Sequence, residues 1–526
     1  MRERAGRPGV AQSSLRQIAA PPDNPAHDEA LTSPDAGDRA IRGGAIRVGG
    51  YGAGLALTAV ASVFLLRHLG VARFGQYATV VAIVTVVQGI TDAGLTLVGQ
   101  REYVHADAQR RRTLLADLVG IRLVLTPLGV ALGVGFALVA GYPNALVTGT
   151  LLAGIGIVLA VVAATLTLPL SVGLRFGAVT ATDFVRQLVI VAGIVALVLA
   201  GAGLTPFFVV YIAAGLAAVV TALALVGVGT WVAPRFAWRE WVRLLREAAP
   251  VALTSVVNVT YVRTLIILTS LIATAHETGL FATSFRISEL LLGVPQLMIG
   301  AAFPILAHAH VADERRLAYA LQRIGEAALL VALALGLVLA VGAAPIVRVL
   351  GGKAYAGAAE PLRIQSVAIA GAFMTQVGAF GLVAVQRQRA LVAVNGLALA
   401  IVLVLGLTLI PPLGADGAAL AASVGEVALA VAALTLLARA RPALRPDLRY
   451  VPKLALAAAL GAACMLLPIP DALAALAALA VYGAVALALR AVPVELLDAL
   501  AHRRALAEPG AAGGGPAAQA PPSSSS

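Results

Sequence analysis

The chain predicts an all-α polytopic membrane protein of about fourteen transmembrane helices, built as two pseudo-symmetric six-helix lobes with a C-terminal helix pair. Composition is the first reason. Of 526 residues, 60% are hydrophobic and only 12% charged, with a mean hydropathy of +0.93, whereas a soluble domain is about 45–50% apolar and about 25% charged. The second reason is the alternation of long apolar runs with short polar breaks, and the third is an internal repeat.

Because lipid offers the backbone no hydrogen-bond partners, apolar runs long enough to cross a bilayer must be helices. The runs place a first set of spans at 45–66, 76–98, 116–140, 145–169, 185–203 and 206–228, and a second set at 249–272, 280–306, 325–347, 361–384, 390–411 and 417–438. A final pair is expected at 453–468 and 471–490, the first of these cut short by Pro468 and Pro470.

Around the spans, residues 1–44 read as a disordered cytoplasmic tail rich in proline and polar residues, too polar to hold a signal peptide. Residues 45–228 form the N-terminal lobe, 229–248 a cytoplasmic amphipathic connector in which Trp231, Phe236, Trp238 and Trp241 interleave with Arg235, Arg239, Arg243 and Arg246, and 249–438 the C-terminal lobe. Residues 439–490 hold a cytoplasmic loop and the final pair, and 491–526 a flexible cytoplasmic tail.

The 38 Lys+Arg against 26 Asp+Glu give a net charge of +12, which in a soluble chain would raise nucleic-acid binding. Position decides otherwise. With both termini inside, most basic residues fall on the cytoplasmic breaks, including Arg110, Arg111 and Arg112, then the connector arginines, then Arg439, Arg441, Arg445 and Arg449, as the positive-inside rule requires. No nucleic-acid partner is expected, and the location expected is the cytoplasmic membrane.

Gly75-Gln76-Tyr77-Ala78-Thr79 opens the second span and Gly279-Leu280-Phe281-Ala282-Thr283 the eighth. This Gly-x-aromatic-Ala-Thr element recurs at matching places in the two sets, and repeated halves with a site between them are the usual construction of secondary transporters.

Catalytic signals are nearly absent, so an enzyme is not expected. Gly351-Gly352-Lys353-Ala354 lacks the glycine spacing and the Ser/Thr of a P-loop. The histidines, His308 and His310 among them, show no metal-binding spacing, and the single Cys464 can form no internal disulfide. No cofactor and no metal are expected. What remains is ionisable residues inside apolar helices, which are costly there and default to functional hypotheses: Asp92, Arg122, Arg263, Arg286, Glu289 and Glu426. Arg263, Arg286 and Arg122 are candidates for an anionic headgroup, since a guanidinium stays charged and its planar fork suits phosphate oxygens. Asp92, Glu289 and Glu426 are candidates either for ion coupling or for structural pairing; Arg286 and Glu289, three apart, share a helical face.

Leu66-Arg67-His68-Leu69-Gly70, Phe74-Gly75-Gln76-Tyr77-Ala78, Asp92-Ala93-Gly94-Leu95 and Arg101-Glu102 resemble the N-terminal signature of Wzx-type oligosaccharide flippases, the polysaccharide-biosynthesis branch of the MATE/MOP superfamily. Tyr261 to Thr269, Gly279 to Ala282, Pro304, Leu350-Gly351-Gly352 and Pro412 to Leu420 extend the likeness over residues 45–438. The resemblance implies alternating access, with a polyprenyl-pyrophosphate-linked saccharide moved between leaflets and no covalent chemistry. It implies as partners the lipid-linked glycan, membrane lipids, a coupling H+ or Na+, and glycan polymerase or glycosyltransferases of the same pathway. Two departures stand out: relatives often carry an acidic residue near the place of Thr264, and acidic residues where this chain has Val71, Ala72 and Arg73. A cation-coupled drug or metabolite antiporter of the same superfamily is the alternative, and a membrane glycan polymerase or glycosyltransferase a second one.

Overall fold

A computed structural model describes residues 36–92, 94–227, 233–291, 293 and 314–493, and among them there are helices and no strands. The run Ala36–Asp92 is broken at Gly70 into α1 and α2. Gly70 sits at φ 71°, ψ 171°, a region open essentially to glycine alone, so the sharp reversal between the two helices depends on that residue. There follow α3 (Leu95–His105), α4 (Ala108–Val139), α5 (Asn144–Leu166), α6 (Leu168–Val172), α7 (Phe176–Leu199) and α8 (Pro206–Val226). The second set comprises α9 (Trp238–Ile272), α10 (275–291), α11 (Glu314–Val341), α12 (Ala343–Gly351) and α13 (Ala359–Ala384). The run Gln388–Ala440, broken at Gly414, supplies α14 and α15, and α16 (Tyr450–Ala462) and α17 (Asp471–Ala488) close the chain.

The helical, polytopic fold is as expected, and several boundaries are not. Among the described residues, ten segments are long and apolar enough to cross a membrane. Two of the ten are helix pairs broken at glycine, α10 runs on toward residues outside the described ones, and α16 with its 3-10 extension is shorter than a full span. The first helix starts at Ala36, inside the segment read as tail. The segment 229–248 is no free connector, for its Trp238 half is the opening of α9, which runs through Pro250 to Ile272. Trp231, Pro295, Pro304, His308 and His310 lie outside the described residues.

Within the first set α5 packs on α4 and α8, and α7 on α8 and the α1–α2 pair; within the second, α13 packs on α11 and on the α14–α15 pair, which also covers α9. The pair α16–α17 packs on α11, where Tyr482 donates to the Leu330 carbonyl at 2.9 Å. Cys464 is buried in that contact. Large apolar side chains such as Leu132, Leu199, Val220 and Val404 stay exposed, which suits a surface solvated by lipid tails.

The two sets meet at the end of the bundle that carries the repeated motif. Thr79 donates to the Gly75 carbonyl at 2.9 Å and Thr283 to the Gly279 carbonyl at 2.7 Å, so the two copies fold alike. They also touch. A Cβ added to Gly75 would lie 2.7 Å from the Gly279 nitrogen, and one added to Gly279 would lie 2.8 Å from the Val71 carbonyl carbon. Tyr355 donates to the Leu66 carbonyl at 2.9 Å and Arg67 to the Val349 carbonyl at 2.6 Å, and Glu277 accepts from the Ala415 amide at 2.9 Å, tying α10 to the α14–α15 turn.

At the opposite, arginine-rich end the opening turns of α9 dock on the first set. Trp241 and Leu244 pack with Leu95, Leu114, Leu118 and Leu168, and the Arg235 amide donates to the Ala116 carbonyl at 3.1 Å. Around this apolar patch, Arg243 bonds Glu102 (2.5 and 2.7 Å), Glu240 (2.6 Å) and Glu247 (2.7 Å), while Arg110 pairs with Glu240.

Candidate functional site

Arg263, Arg286 and Glu289 come together where the two sets face each other. Nη2 of Arg263 donates to Glu289 Oε1 at 2.6 Å and Nη1 of Arg286 to Glu289 Oε2 at 3.1 Å, so one carboxylate bridges two guanidinium groups and the group keeps a net charge of +1. Nε of Arg286 points across to Ser62 Oγ of α1, 3.4 Å away. Arg263 also lies over the Phe285 ring, 5.9 Å from its centroid. At 1.5 Å per residue, Arg263 is roughly 14 Å from the end of α9 and Arg286 roughly 16 Å from the start of α10. Both therefore sit about halfway through a hydrocarbon core of about 30 Å. The Arg286 side chain keeps 37% of its surface open, so a guanidinium edge is available to a ligand.

Arg122 lies elsewhere and both of its Nη groups are already engaged, while its buried Nε finds no partner among the described residues. It pairs with Asp92, and donates to Thr96 Oγ1 at 2.6 Å, Thr165 Oγ1 at 2.7 Å and the Val161 carbonyl at 3.0 Å. The contacts clamp α2, α3 and α5 onto α4. Asp92, expected either for ion coupling or for structural pairing, is paired here, and Arg122, expected as a candidate for an anionic headgroup, is part of this clamp within the first set.

Glu426, on α15, accepts from the Tyr261 hydroxyl of α9 at 2.9 Å. The two face a cavity of about 60 Å³ inside the second set, together with Ser288 and Gln365, which are joined at 2.9 Å. Thr264, where an acidic residue was expected by resemblance, donates to the Thr260 carbonyl at 2.6 Å. Both threonines line an apolar groove of about 420 Å³ between α2, α4 and α9, with Ile83, Val87, Leu132 and Leu268. Among the described residues no three metal-ligating side chains converge.

Arg186 escaped the sequence reading because its span was expected to open at 185. The helix opens at Phe176 instead, which moves Arg186 from the membrane edge to mid-helix.

Two helix sets sharing a mid-membrane charged site define a multi-pass membrane transporter or flippase. Solved structures with this fold include a Lipid II flippase MurJ in an inward closed conformation, at a TM-score of 0.71 and 12% identity over 84% of this chain and 97% of that one. An inward-facing multidrug resistance MATE family transporter of the MOP superfamily gives 0.58 and 12%, over 74% and 94% of the two chains. A MOP superfamily transporter from Pyrococcus furiosus, described as having a binding pocket of reverse polarity, gives 0.53 and 13%, over 81% and 99%. No curated protein sequence matches the chain. The family model described as polysaccharide biosynthesis protein matches residues 41–310, more than half of the chain, and the protein belongs to that family.

Proposed function

We propose that the protein is a flippase that moves a polyprenyl-pyrophosphate-linked saccharide across the cytoplasmic membrane by alternating access. The pyrophosphate docks on Arg263 and Arg286, the saccharide lies between the sets, and the prenyl tail follows the apolar groove beside Thr260 and Thr264. The observation that carries this reading is the Arg263–Glu289–Arg286 group: a cationic cluster held at mid-depth between two repeat-related helix sets, with an open guanidinium edge. Family membership and the shared fold support the transporter half of the statement. Residues 45–228 and 249–438 act as the two moving lobes, with the arginine-rich end and both termini cytoplasmic. The motif-bearing end then faces outward, and its glycine contact closes the outer side.

The test is to reconstitute the purified protein in vesicles and follow access of a fluorescent polyprenyl-pyrophosphate saccharide to an external quencher. Arg263→Gln with Arg286→Gln should abolish transport while the protein stays folded. Unaltered transport by that double variant would sink the site. One observation favours an antiporter instead, the Tyr261–Glu426 pair facing its own cavity; transport of an organic cation driven by a proton gradient, lost in Glu426→Gln, would support that reading.

A further inference from the structure

A second cavity, of about 200 Å³, lies wholly within the first helix set, between α2, α5, α7 and α8. Arg186 and Gln88 line it with the Tyr211 hydroxyl, against apolar walls such as Val84 and Ile157. Arg186 stands ten residues into α7 and thirteen from its end, roughly 15 Å from one end and 20 Å from the other. It is thus near mid-helix, as Arg263 is far from the ends of α9 and Arg286 from the start of α10. No hydrogen bond or ion pair engages its guanidinium among the described residues. The acidic residues nearby are committed or turned away: Asp92 is held by Arg122, and Asp183, one turn before Arg186, is exposed and has an interaction of its own. The helices α5 and α8 carry no acidic residue at all.

An uncompensated guanidinium at mid-membrane is costly and is retained for what it binds. Here the surrounding groups are chiefly donors: five N–H of Arg186, two of the Gln88 carboxamide, and a hydroxyl that Tyr211 shares with Tyr77 at 2.8 Å. Such a set suits a group made of acceptor oxygens with negative charge. The volume is below that of a pocket for a drug-sized ligand, so the cavity takes one small group and not a whole glycan. Its location adds a geometric point. Gln187, the next residue, donates to Thr58 of α1 at 2.7 Å, Ser62 one turn on donates to the Thr58 carbonyl at 2.7 Å, and Ser62 is the group that Arg286 approaches. Thr58 and Ser62, four residues apart, lie one above the other on a single face of α1, so the helix that carries Arg186 and the Arg286 site both approach that face.

We propose that the Arg186 cavity is a second anion subsite, on the first helix set, which takes the carboxylate of an acidic sugar in the cargo while the pyrophosphate occupies Arg263 and Arg286. This rests on the lipid-linked saccharide reading given above. A cargo held at both points spans the two sets, so its binding is felt by both.

The experiment uses the full chain in detergent, with glucuronate, glucose and inorganic pyrophosphate as probes and thermal shift and calorimetry as readouts. Glucuronate should bind and glucose should not, because only the former brings a carboxylate. Arg186→Gln should weaken glucuronate by about tenfold or more, the scale of a lost charge-assisted hydrogen bond, and leave pyrophosphate binding unaltered. Arg263→Gln with Arg286→Gln should do the reverse. Since Arg186 has no hydrogen-bond or ion-pair partner among the described residues to lose, Arg186→Leu should melt no lower than the parent, whereas an arginine kept for structure would leave the variant less stable. Gln88→Ala gives a milder loss of glucuronate binding and stands in should the Arg186 variants fail to fold. Glucuronate binding that survives Arg186→Gln, equal binding of glucose, or displacement of glucuronate by added phosphatidylglycerol would each overturn the proposal. The last outcome would assign the cavity to a lipid headgroup. A failure of the pyrophosphate arm alone would count against the Arg263 and Arg286 site and leave this one standing.

Discussion

Adding one methyl group at Gly75 tests whether the contact between the two motif copies holds the bundle shut at that end. The Cβ of Gly75→Ala would lie 2.7 Å from the Gly279 nitrogen and 3.1 Å from the Gly279 Cα, against about 3.5–4.0 Å for comfortable contact. The helices must part by about 0.8 Å or more there, and the obstacle is backbone, which cannot swing aside. Overpacking of this kind costs about 1–3 kcal/mol. If only the conformer closed at this end bears the cost, the equilibrium shifts toward the open conformer by about 5- to 150-fold. The lone Cys464 makes the assay simple: in a Cys464→Ala background, Ser62→Cys reports on the space beside Arg286. A membrane-impermeant maleimide added to intact cells should label Ser62→Cys faster by that factor in Gly75→Ala. Gly279→Ala should act in the same direction, and the two should combine non-additively because they burden one contact. Unchanged labelling in a variant that remains monodisperse and melts within a few degrees of the parent would refute the reasoning.

Other perturbations have equally definite outcomes. Asp92→Ala strands Arg122, whose side chain is 3% exposed, and should cost about 3–5 kcal/mol, whereas Arg122→Met strands Asp92, which is 41% exposed and can hydrate, for about 1–3 kcal/mol; thermal melts should rank them in that order. Arg243→Ala removes pairs that are only part-buried, each worth about 0.2–1 kcal/mol, so its melting temperature should fall modestly at 50 mM salt and the gap should narrow at 500 mM. Glu289→Gln frees both Arg263 and Arg286 and raises the charge of the group from +1 to +2. Pyrophosphate should then bind about tenfold more tightly or better by calorimetry, the scale of a charge-assisted hydrogen bond no longer contested by the carboxylate.

The helices were legible in the residues because lipid leaves the backbone no alternative, and the repeat was legible because each copy needs a glycine, an aromatic and a threonine in the same places. What the repeat did not disclose is that its two glycines meet, since a contact across 204 positions (75 to 279) leaves no periodic trace. The i,i+3 spacing of Arg286 and Glu289 correctly foretold their pairing, but not that Glu289 would also hold Arg263 from another helix. Arg122 and Asp92 were both singled out for being charged in apolar surroundings, yet their mutual engagement depends on how α2 crosses α4, which hydropathy does not encode. Arg186 was passed over for a simpler reason. Helix ends are marked weakly in a chain this apolar, and a span assigned nine residues short turns a mid-helix charge into an apparent border residue.

The continuous helix α9 touches both sets: its opening turns are pinned by Trp241 and Arg243 to the first, and its remainder packs on the α14–α15 pair of the second and on the α1–α2 pair of the first. Pro250 lies between these two attachments, and proline is where a helix bends most readily, by about 20° or more. From Pro250 to Ile272 the lever is roughly 33 Å long. A change of about 20° at that pivot would sweep its far end through roughly 11 Å. Were α9 to flex at this proline, the fulcrum would lie at the arginine-rich end and the greatest travel near the glycine contact, and the Ser270–Tyr142 hydrogen bond to the first set would have to break.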